Sequence, residues 1–304
     1  MNISQNWVMN DIELTLHRGF FRFHESIRHH IPLRCGGSCV AWIEIFERKE
    51  LQKVLRFLRK VKLKYRIHHP FEDWVVHDSG FSGVIIRLRG DFEGYRMNPE
   101  IRTKDGELLC QRGLRIGVST LWCQIETSPW KDIFSCWTGS VGGILRGSQN
   151  MCLRGWEYTL EISKGKKIIY EYISKKTQLR NLSPTEIITH IILHQPPRRK
   201  NSIVNPLRNG ELFLKKQGNN LQQRRCGELL EIQDLYGTRL RGWKVEPYGG
   251  LITHVPYQKE SGETTYQHAS SDLLELYKGF REKIQRRMGI EIVLASTTIG
   301  SAKK

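Results

Sequence analysis

The segment from residue 40 to residue 88 constrains the fold more than any other part of the chain. Its centre, ERKELQKVLRFLRK at residues 47–60, has apolar residues at the i, i+3, i+4 and i+7 spacing of one buried helix face: Leu51, Val54, Leu55 and Leu58. Runs typical of β-strands occur at residues 40–46, 61–67, 74–77 and 84–88, and Asp78-Ser79-Gly80 predicts a turn between the last two. This order of elements predicts an α+β fold.

The rest of the chain indicates more short strands and one more long helix. Apolar runs predict strands at residues 107–111, 114–117, 157–162, 167–172 and 185–193. The polar stretch at residues 91–105 indicates a loop, and Ser119 is placed to start a helix. Residues 270–288 have helical periodicity with Ser270 or Ser271 as the cap, and the QPPRRK segment at residues 195–200 indicates a domain boundary.

Positive charge is the strongest compositional signal. The 304 residues carry a net charge of +17, which attracts polyanions such as RNA, DNA, anionic lipid or the phosphates of a nucleotide-sugar. An acidic protein partner is a further alternative. The candidate anion-binding residues are Lys53, Arg56 and Lys60, which lie off the apolar face of the first helix. The plainer interpretation of this basic face is a solvated helix surface.

Cysteine usage and hydropathy predict a cytoplasmic protein with no metal site. The seven cysteines form no C-x-x-C pair, which is typical of reduced thiols and lacks the usual zinc-ligand spacing. No run reaches 18 uncharged apolar residues, so no membrane span is expected. Asp11 and Glu13 argue against a secretory signal or a transit peptide at the N-terminus.

Six segments, taken in order, resemble one family. LRCGGSCVAWIEIFERKELQKVLRFLRKVKLKYRI, VVHDSGFSGVIIRL and WTGSVGGILRG are similar to the FAD-binding part of the UDP-N-acetylenolpyruvoylglucosamine reductase (MurB) family. GELF, LLEIQDLYGTRLRG and ASSDLLELYKGFREKIQRRMGIEI resemble its substrate domain. The resemblance implies an N-terminal extension, two FAD-binding (PCMH-type) subdomains and a C-terminal α+β domain. These would cover residues 1–30, 31–90, 91–195 and 196–304.

The family's reaction defines the cofactors and the catalytic side chains that an active reductase would need. The resemblance implies that NADPH reduces FAD, that the flavin passes hydride to an enolpyruvyl ether on a UDP-sugar, and that a hydroxyl side chain donates the proton. This is a step of peptidoglycan synthesis, and the flavin supplies the redox chemistry while the protein positions it.

The phosphate cradle departs from the family pattern. A run resembling G-x-G-S-N-L-L-V precedes the D-x-G-F turn in the family, and its glycines let backbone N–H groups approach the FAD diphosphate. This chain has Pro70, Phe71, Glu72 and Asp73 there. The second glycine loop matches the family's G-T-V-G-G pattern and is a residual FAD-type loop or a tight turn that the fold needs: Gly139, Ser140, Val141, Gly142 and Gly143.

The catalytic positions implied by the resemblance are also changed. Glu211 stands in the place of the proton-donating serine, and a glutamate acts as a general acid only if its pKa is raised. Ile173 stands in the place of the arginine that steadies the enolate. Ala295 lies where the family has its closing acid.

Two functional hypotheses follow from these residues. The first is a MurB-like pseudoenzyme that keeps the fold, needs no cofactor and uses a basic surface to bind an anionic partner. The second is a diverged but active reductase that uses FAD and NADPH. The losses at the cradle and at three catalytic positions favour the first.

Overall fold

The computed structural model describes residues 19–72, 74–102, 108–127, 130–134, 139–146, 153, 156–174, 182–183, 185–194, 212–215, 221–225, 235, 237–245, 252–254, 257–258, 264–265, 269–288, 291–294 and 297–299. Its contacts divide the chain into two compact units. The first comprises residues 1–25, 40–72 and 82–206, and the second comprises residues 26–39, 73–81 and 207–304. The four consecutive domains expected from the sequence stay a prediction.

A four-stranded sheet and a helix begin the first unit. Strands β1 (Phe20–Phe23), β2 (Cys39–Ile45), β5 (Phe81–Leu88) and β3 (Tyr65–His68) form the sheet in that order. Helix α1 (Arg48–Lys60) confirms the predicted helix, and its four predicted apolar residues are buried. The Glu50 carboxylate accepts hydrogen bonds from the backbone N–H groups of Phe46 and Glu47, at 3.3 Å each, which satisfies two donors at the helix start.

A second sheet completes the framework of the first unit. Five antiparallel strands form it in the order β6 (Tyr95–Arg102), β7 (Leu108–Gly117), β10 (Glu186–Leu193), β8 (Tyr158–Lys164) and β9 (Lys167–Ile173). Short helices α2 (Lys131–Phe134) and α3 (Val141–Arg146) lie between β7 and β8 in the chain. The α+β class predicted from the sequence is confirmed.

Two local predictions in this region are wrong. Residues 95–102, within the expected loop, form β6 at the edge of the sheet, where a polar strand can pair through one side and meet water on the other. Ser119 starts no α-helix, and only a 3₁₀ turn forms at Trp122–Gln124. The backbone N–H of Ser119 donates instead to the Phe92 carbonyl at 3.0 Å, and that of Val118 to Thr189 at 3.1 Å.

Apolar side chains from α1 and both sheets form one core in the first unit. An aromatic group lies within it, in which the Phe134 ring is 4.5 Å from that of Trp122 and 5.9 Å from that of Trp130, measured between centroids. Each fully buried large apolar side chain contributes roughly 1.5–3 kcal/mol to folding. This core fixes the loops that connect its strands.

The second unit is organised around helix α4 (Ser270–Met288), which the sequence predicted with these bounds. Leu273, Leu276, Phe280 and Ile284 are buried, as expected from their spacing. Strand β4 (Trp74–Val76) pairs in parallel with β19 (Thr297–Ile299). The other strands are β11 (Leu212–Lys215), β12 (Leu221–Arg225), β13 (Arg239–Leu240), β14 (Trp243–Val245), β15 (Ile252–His254), β16 (Tyr257–Gln258), β17 (Thr264–Thr265) and β18 (Glu291–Leu294).

The start of α4 is capped from a distant turn. The Asp78 carboxylate accepts hydrogen bonds from the backbone N–H of Ser270 at 2.9 Å, the backbone N–H of Ser271 at 3.1 Å and the Ser270 hydroxyl at 3.2 Å. Burial opposes ionisation of Asp78, but these hydrogen bonds outweigh it and lower its pKa. The Asp78-Ser79-Gly80 turn therefore has a structural role within the second unit.

Among the described residues, no helix has the length and apolar composition to cross a bilayer.

Candidate functional site

Two loops of the first unit that the sequence analysis singled out lie in contact. We call residues 69–72, which include the replaced cradle positions Pro70, Phe71 and Glu72, the first loop, and residues 139–143 the second loop. Asp73 lies outside the described residues. A Cβ atom added to Gly142 would lie 2.3 Å from Nδ1 of His69, and one added to Gly143 would lie 3.7 Å from Cα of Glu72. Gly142 is therefore required by the close approach of the His69 ring. The structure brings together the two segments expected to form a phosphate cradle, but the His69 ring of the first loop fills the space beside Gly142 of the second loop.

The backbone N–H groups of the second loop donate to acceptors within the first unit. The N–H of Gly142 donates to the Val118 carbonyl at 2.7 Å, and that of Val141 to the Thr120 carbonyl at 3.0 Å. The N–H of Gly143 donates to the Ser140 hydroxyl at 3.2 Å, and Ser140 is fully buried. A phosphate cradle needs N–H groups that point at the ligand, and these three point at protein acceptors.

The first loop is closed by its own carboxylate. The N–H of His69 donates to Oε2 of Glu72 at 3.0 Å, and the N–H of Glu72 donates back to the His69 carbonyl at 3.1 Å. Pro70 has no N–H to offer. Phe71 has a φ of +57° and is 60% exposed, and this left-handed conformation costs a bulky residue about 1–2 kcal/mol.

The residues of these loops do not fit a flavin diphosphate. The family resemblance places the diphosphate against glycine backbone. Here the His69 ring lies against Gly142, and the Glu72 carboxylate already accepts the hydrogen bond of the His69 N–H. Glu72 is also 7% exposed and would stand as a like charge beside the phosphates. Gly139 does keep a φ of +86°, so the sharp turn of the second loop is preserved.

Of the three predicted catalytic positions, the structure describes one. Ile173 ends β9, is 2% exposed and packs in the apolar core of the first unit, where it pairs with Tyr158 of β8. It supplies no charge for an enolate. Glu211 and Ala295 lie outside the described residues.

The predicted basic face of α1 is exposed. Lys53, Arg56 and Lys60 all lie on the solvent side of the helix, at an i, i+3 and i+7 spacing that places them on one stripe. Lys49 extends the same stripe by one turn and is also exposed. We refer to Lys49, Lys53, Arg56 and Lys60 as the basic stripe.

A buried charge cluster in the first unit was missed by the sequence analysis. Glu161 of β8 is 2% exposed, and its carboxylate accepts hydrogen bonds from Nε and Nη2 of Arg115 at 3.0 Å each. Arg48, at the start of α1, makes a further ion pair with Glu161. Burial opposes ionisation of Glu161, but hydrogen bonds and charges from His190, Arg115 and Arg48 hold its pKa well below the usual range.

His190 is the third partner of Glu161 in this cluster. Its Nε2–H donates to the Asp91 carbonyl at 2.9 Å, and its Nδ1 lies 3.3 Å from Glu161. Burial lowers the pKa of His190, while its contact with Glu161 acts in the opposite direction, so Arg115 and Arg48 are the permanent cationic partners of Glu161. The available signal was a charged residue between Leu160 and Ile162 within a strand-like run. The cluster ties α1 to the second sheet.

Within the described ranges, no group of three or more side chains could hold a metal ion.

Comparison with known proteins supports this architecture. No family model matches the chain. It is 25% identical over 121 residues to UDP-N-acetylenolpyruvoylglucosamine reductase of Clostridioides difficile, covering 40% of this chain and 38% of that protein. It is 32% identical over 74 residues to UDP-N-acetylenolpyruvoylglucosamine reductase 2 of Symbiobacterium thermophilum, covering 24% of each. The matched segments therefore span well under half of these relatives.

The fold match is broader than the sequence match. The crystal structure of MurB from Thermus caldophilus superimposes with a TM-score of 0.59 over 92% of this chain and 100% of that protein, at 16% identity. Sequence similarity and fold together relate this chain to the UDP-N-acetylenolpyruvoylglucosamine reductase (MurB) family, as a diverged relative with a MurB-like α+β fold.

Proposed function

We propose that this chain keeps the MurB-like fold without the reductase chemistry and binds an anionic partner through the basic stripe. The observation that carries the proposal is the closed contact between the first loop and the second loop. A flavin diphosphate would need that space and those backbone donors, and both are in use by the protein itself.

The loss of catalytic groups supports the same conclusion. Ile173 replaces a cation with an apolar side chain in the core, and Glu211 replaces a hydroxyl. Reduction of an enolpyruvyl ether develops negative charge that must be stabilised before a proton arrives. A chain without the flavin, the cation and the hydroxyl has no route through that reaction.

The anionic partner follows from charge and exposure. The net charge is +17, and the basic stripe presents four cations in a row on one helix. Among the described residues, no ion pair joins any of these four to an acid. Such a row tracks the phosphates of a nucleic acid, and the binding it gives depends strongly on salt. Single-stranded RNA is the first partner to test.

The proposal is tested by RNA binding with charge-matched variants. The triple variant Lys53→Glu/Arg56→Glu/Lys60→Glu should weaken RNA binding in a mobility-shift assay by roughly a hundredfold or more, because three phosphate contacts are reversed. The control variant Lys131→Glu/Arg239→Glu/Lys278→Glu changes net charge equally at exposed positions elsewhere. Equal losses in both variants, or competition by polyglutamate as strong as by unlabelled RNA, would contradict a nucleic-acid surface on α1.

A second candidate function is the active reductase. The specific observation in its favour is the preserved turn of the second loop, with Gly139 at positive φ. Assays with FAD, NADPH and UDP-N-acetylenolpyruvoylglucosamine test it. NADPH oxidation that requires the UDP-sugar would establish the reductase and overturn the preferred proposal.

We also assign the protein to a reducing compartment such as the cytoplasm. Cys35 and Cys123 are free thiols, and burial raises the pKa of Cys35 to about 12, so that it stays protonated. The exposed Cys123 should react with an alkylating reagent in fresh lysate without added reductant. Blocked Cys123 in that experiment would place the protein in an oxidising compartment.

A further inference from the structure

A cavity of 140 Å³ lies in the first unit between α1 and the turn that joins β8 to β9. Its lining residues come from one face of the helix and from the tip of the hairpin: Gln52, Leu55, Arg56, Arg59, Gly165 and Lys166. Gly165 has a φ of +60° and open space around it, which leaves the hairpin tip uncovered. The cavity is separate from the first and second loops.

Three cations converge on this cavity without a carboxylate to balance them. Within the described part of the chain, no ion pair involves Arg56, Arg59 or Lys166. The acid nearest in the β8–β10 pairing, Glu186, is already held by Nζ of Lys164 at 3.1 Å and by the N–H of Ser183 at 3.0 Å. Like charges that converge at a half-buried site repel one another unless an anion joins them.

Arg59 is held in place with donor capacity left over. One of its Nη atoms donates to the Thr185 carbonyl at 3.4 Å, which orients the guanidinium but does not neutralise it. Its Nε is buried and has no hydrogen-bond acceptor. A buried donor without an acceptor is costly, so a ligand oxygen at this position would be favourable.

The donor set matches a phosphate group. Two guanidinium groups offer planar pairs of N–H donors, Lys166 adds a mobile ammonium and Gln52 an amide N–H. A phosphate monoester presents its oxygens in a tetrahedral arrangement and carries up to two negative charges. It can therefore contact three cations from several sides, whereas a carboxylate carries only one charge. We propose that this cavity is a phosphate-binding site that takes one terminal phosphate monoester of an anionic ligand. The site deepens the proposed function and rests on it in part, since Arg56 belongs to both.

Phosphate binding tests the site directly. Titration of the full chain with inorganic phosphate, followed by ³¹P NMR line broadening at constant ionic strength, should show saturable binding. Lys166→Gln and Arg59→Gln should each weaken it about tenfold, as expected for loss of one charge-assisted contact. Lys278→Gln removes the same charge from an exposed position of α4 and should leave binding unchanged. Equal broadening in wild type and in Lys166→Gln, or no saturation, would overturn the site.

The source of the phosphate is resolved with paired RNA probes. A 5′-phosphorylated oligonucleotide should bind wild type more tightly than its 5′-hydroxyl form, and Lys166→Gln should remove that difference. If inorganic phosphate binds and the two RNAs bind equally, the site takes a small phosphomonoester instead. If RNA binds normally to Lys166→Gln and phosphate does not bind at all, the basic stripe stands and the cavity proposal fails. If phosphate binds but no RNA does, the cavity stands and the proposed function fails.

Discussion

The contact between the first and second loops and the basic cavity are two places in the first unit where an anion could be expected, and they differ in what their donors do. In the loop contact, the N–H groups of His69, Val141, Gly142 and Gly143 all donate to protein acceptors. In the cavity, the side chains of Arg56, Arg59 and Lys166 lack carboxylate partners among the described residues. Residue type alone therefore does not define an anion site. A site needs donors that the protein has left unsatisfied.

A third region, the Glu161 cluster, contains arginines that are paired with a carboxylate of the protein itself. Arg48 and Arg115 meet the buried carboxylate of Glu161, so both are neutralised inside the protein. Removing one partner of such a cluster leaves uncompensated buried charge. The cavity cations differ in pairing, and this difference makes separate predictions for stability.

The largest effect is expected at Glu161. Glu161→Gln should lower the free energy of unfolding by about 3–5 kcal/mol, because the half-buried Arg48 and Arg115 would lose the buried anion that both contact. Urea denaturation followed by tryptophan fluorescence measures it. Glu275→Gln, at an exposed position of α4, is the control and should stay within about 0.5 kcal/mol of wild type.

The same residue predicts a dependence of stability on pH. The pKa of Glu161 is lower in the folded chain than in the unfolded chain, so its stabilisation is complete above the unfolded value, about 4.3, and declines as the pH falls below it. Wild type should therefore lose stability on acidification more steeply than Glu161→Gln. Parallel curves for the two proteins would contradict the charged assignment.

Closure of the two loops is tested at Gly142. Gly142→Ala should cost about 1–3 kcal/mol, because its methyl group would overlap the His69 ring. Gly279→Ala, in α4 with open space around it, should instead gain about 0.5–1 kcal/mol. The double variant His69→Ala/Gly142→Ala should recover part of the loss from Gly142→Ala. No recovery would mean that the ring is not what fills this space.

The strained first loop predicts a smaller effect of opposite sign. Phe71→Gly should raise the free energy of unfolding by about 0.5–1 kcal/mol, since relief of the positive φ exceeds the added chain entropy of glycine. Phe71→Ala keeps the same strain and should show no gain. Thermal unfolding compares the two variants, and equal behaviour would argue against strain at this residue.

The smallest effect is expected in the cavity. Lys166→Gln and Arg56→Gln should each change the free energy of unfolding by less than about 0.5 kcal/mol, because neither exposed side chain has an ionic partner to lose. The measurement is the same urea denaturation used for Glu161. A loss of several kcal/mol would show that these cations belong to the fold, as Arg115 does, and are not available for a ligand.

The sequence predicted the elements whose evidence is local. Helices α1 and α4 follow from apolar periodicity over 13 and 19 residues, and their predicted faces are buried. Strand β6 was missed because its polar residues lie at a sheet edge and show no apolar alternation, although it pairs with the next strand, β7. The Glu161 cluster was missed for a different reason, since its partners Arg115 and Arg48 lie 46 and 113 residues away in the chain.

The candidate site was predicted in part. The residues that replace the cradle glycines were identified from the resemblance. The structure gives Glu72 another role, as the acceptor that closes the first loop on His69. Periodicity could not reveal this, because it depends on the loop conformation that places Phe71 at positive φ.

Flavin binding tests the central claim most directly. The full chain, purified from cells without added cofactor, should be colourless, and titration with FAD should leave the flavin's fluorescence and visible spectrum unchanged. The family's phosphate cradle would otherwise hold the diphosphate, and here its donors and its space are used by His69, Glu72 and Gly142. A yellow protein that holds one FAD per chain would contradict the account.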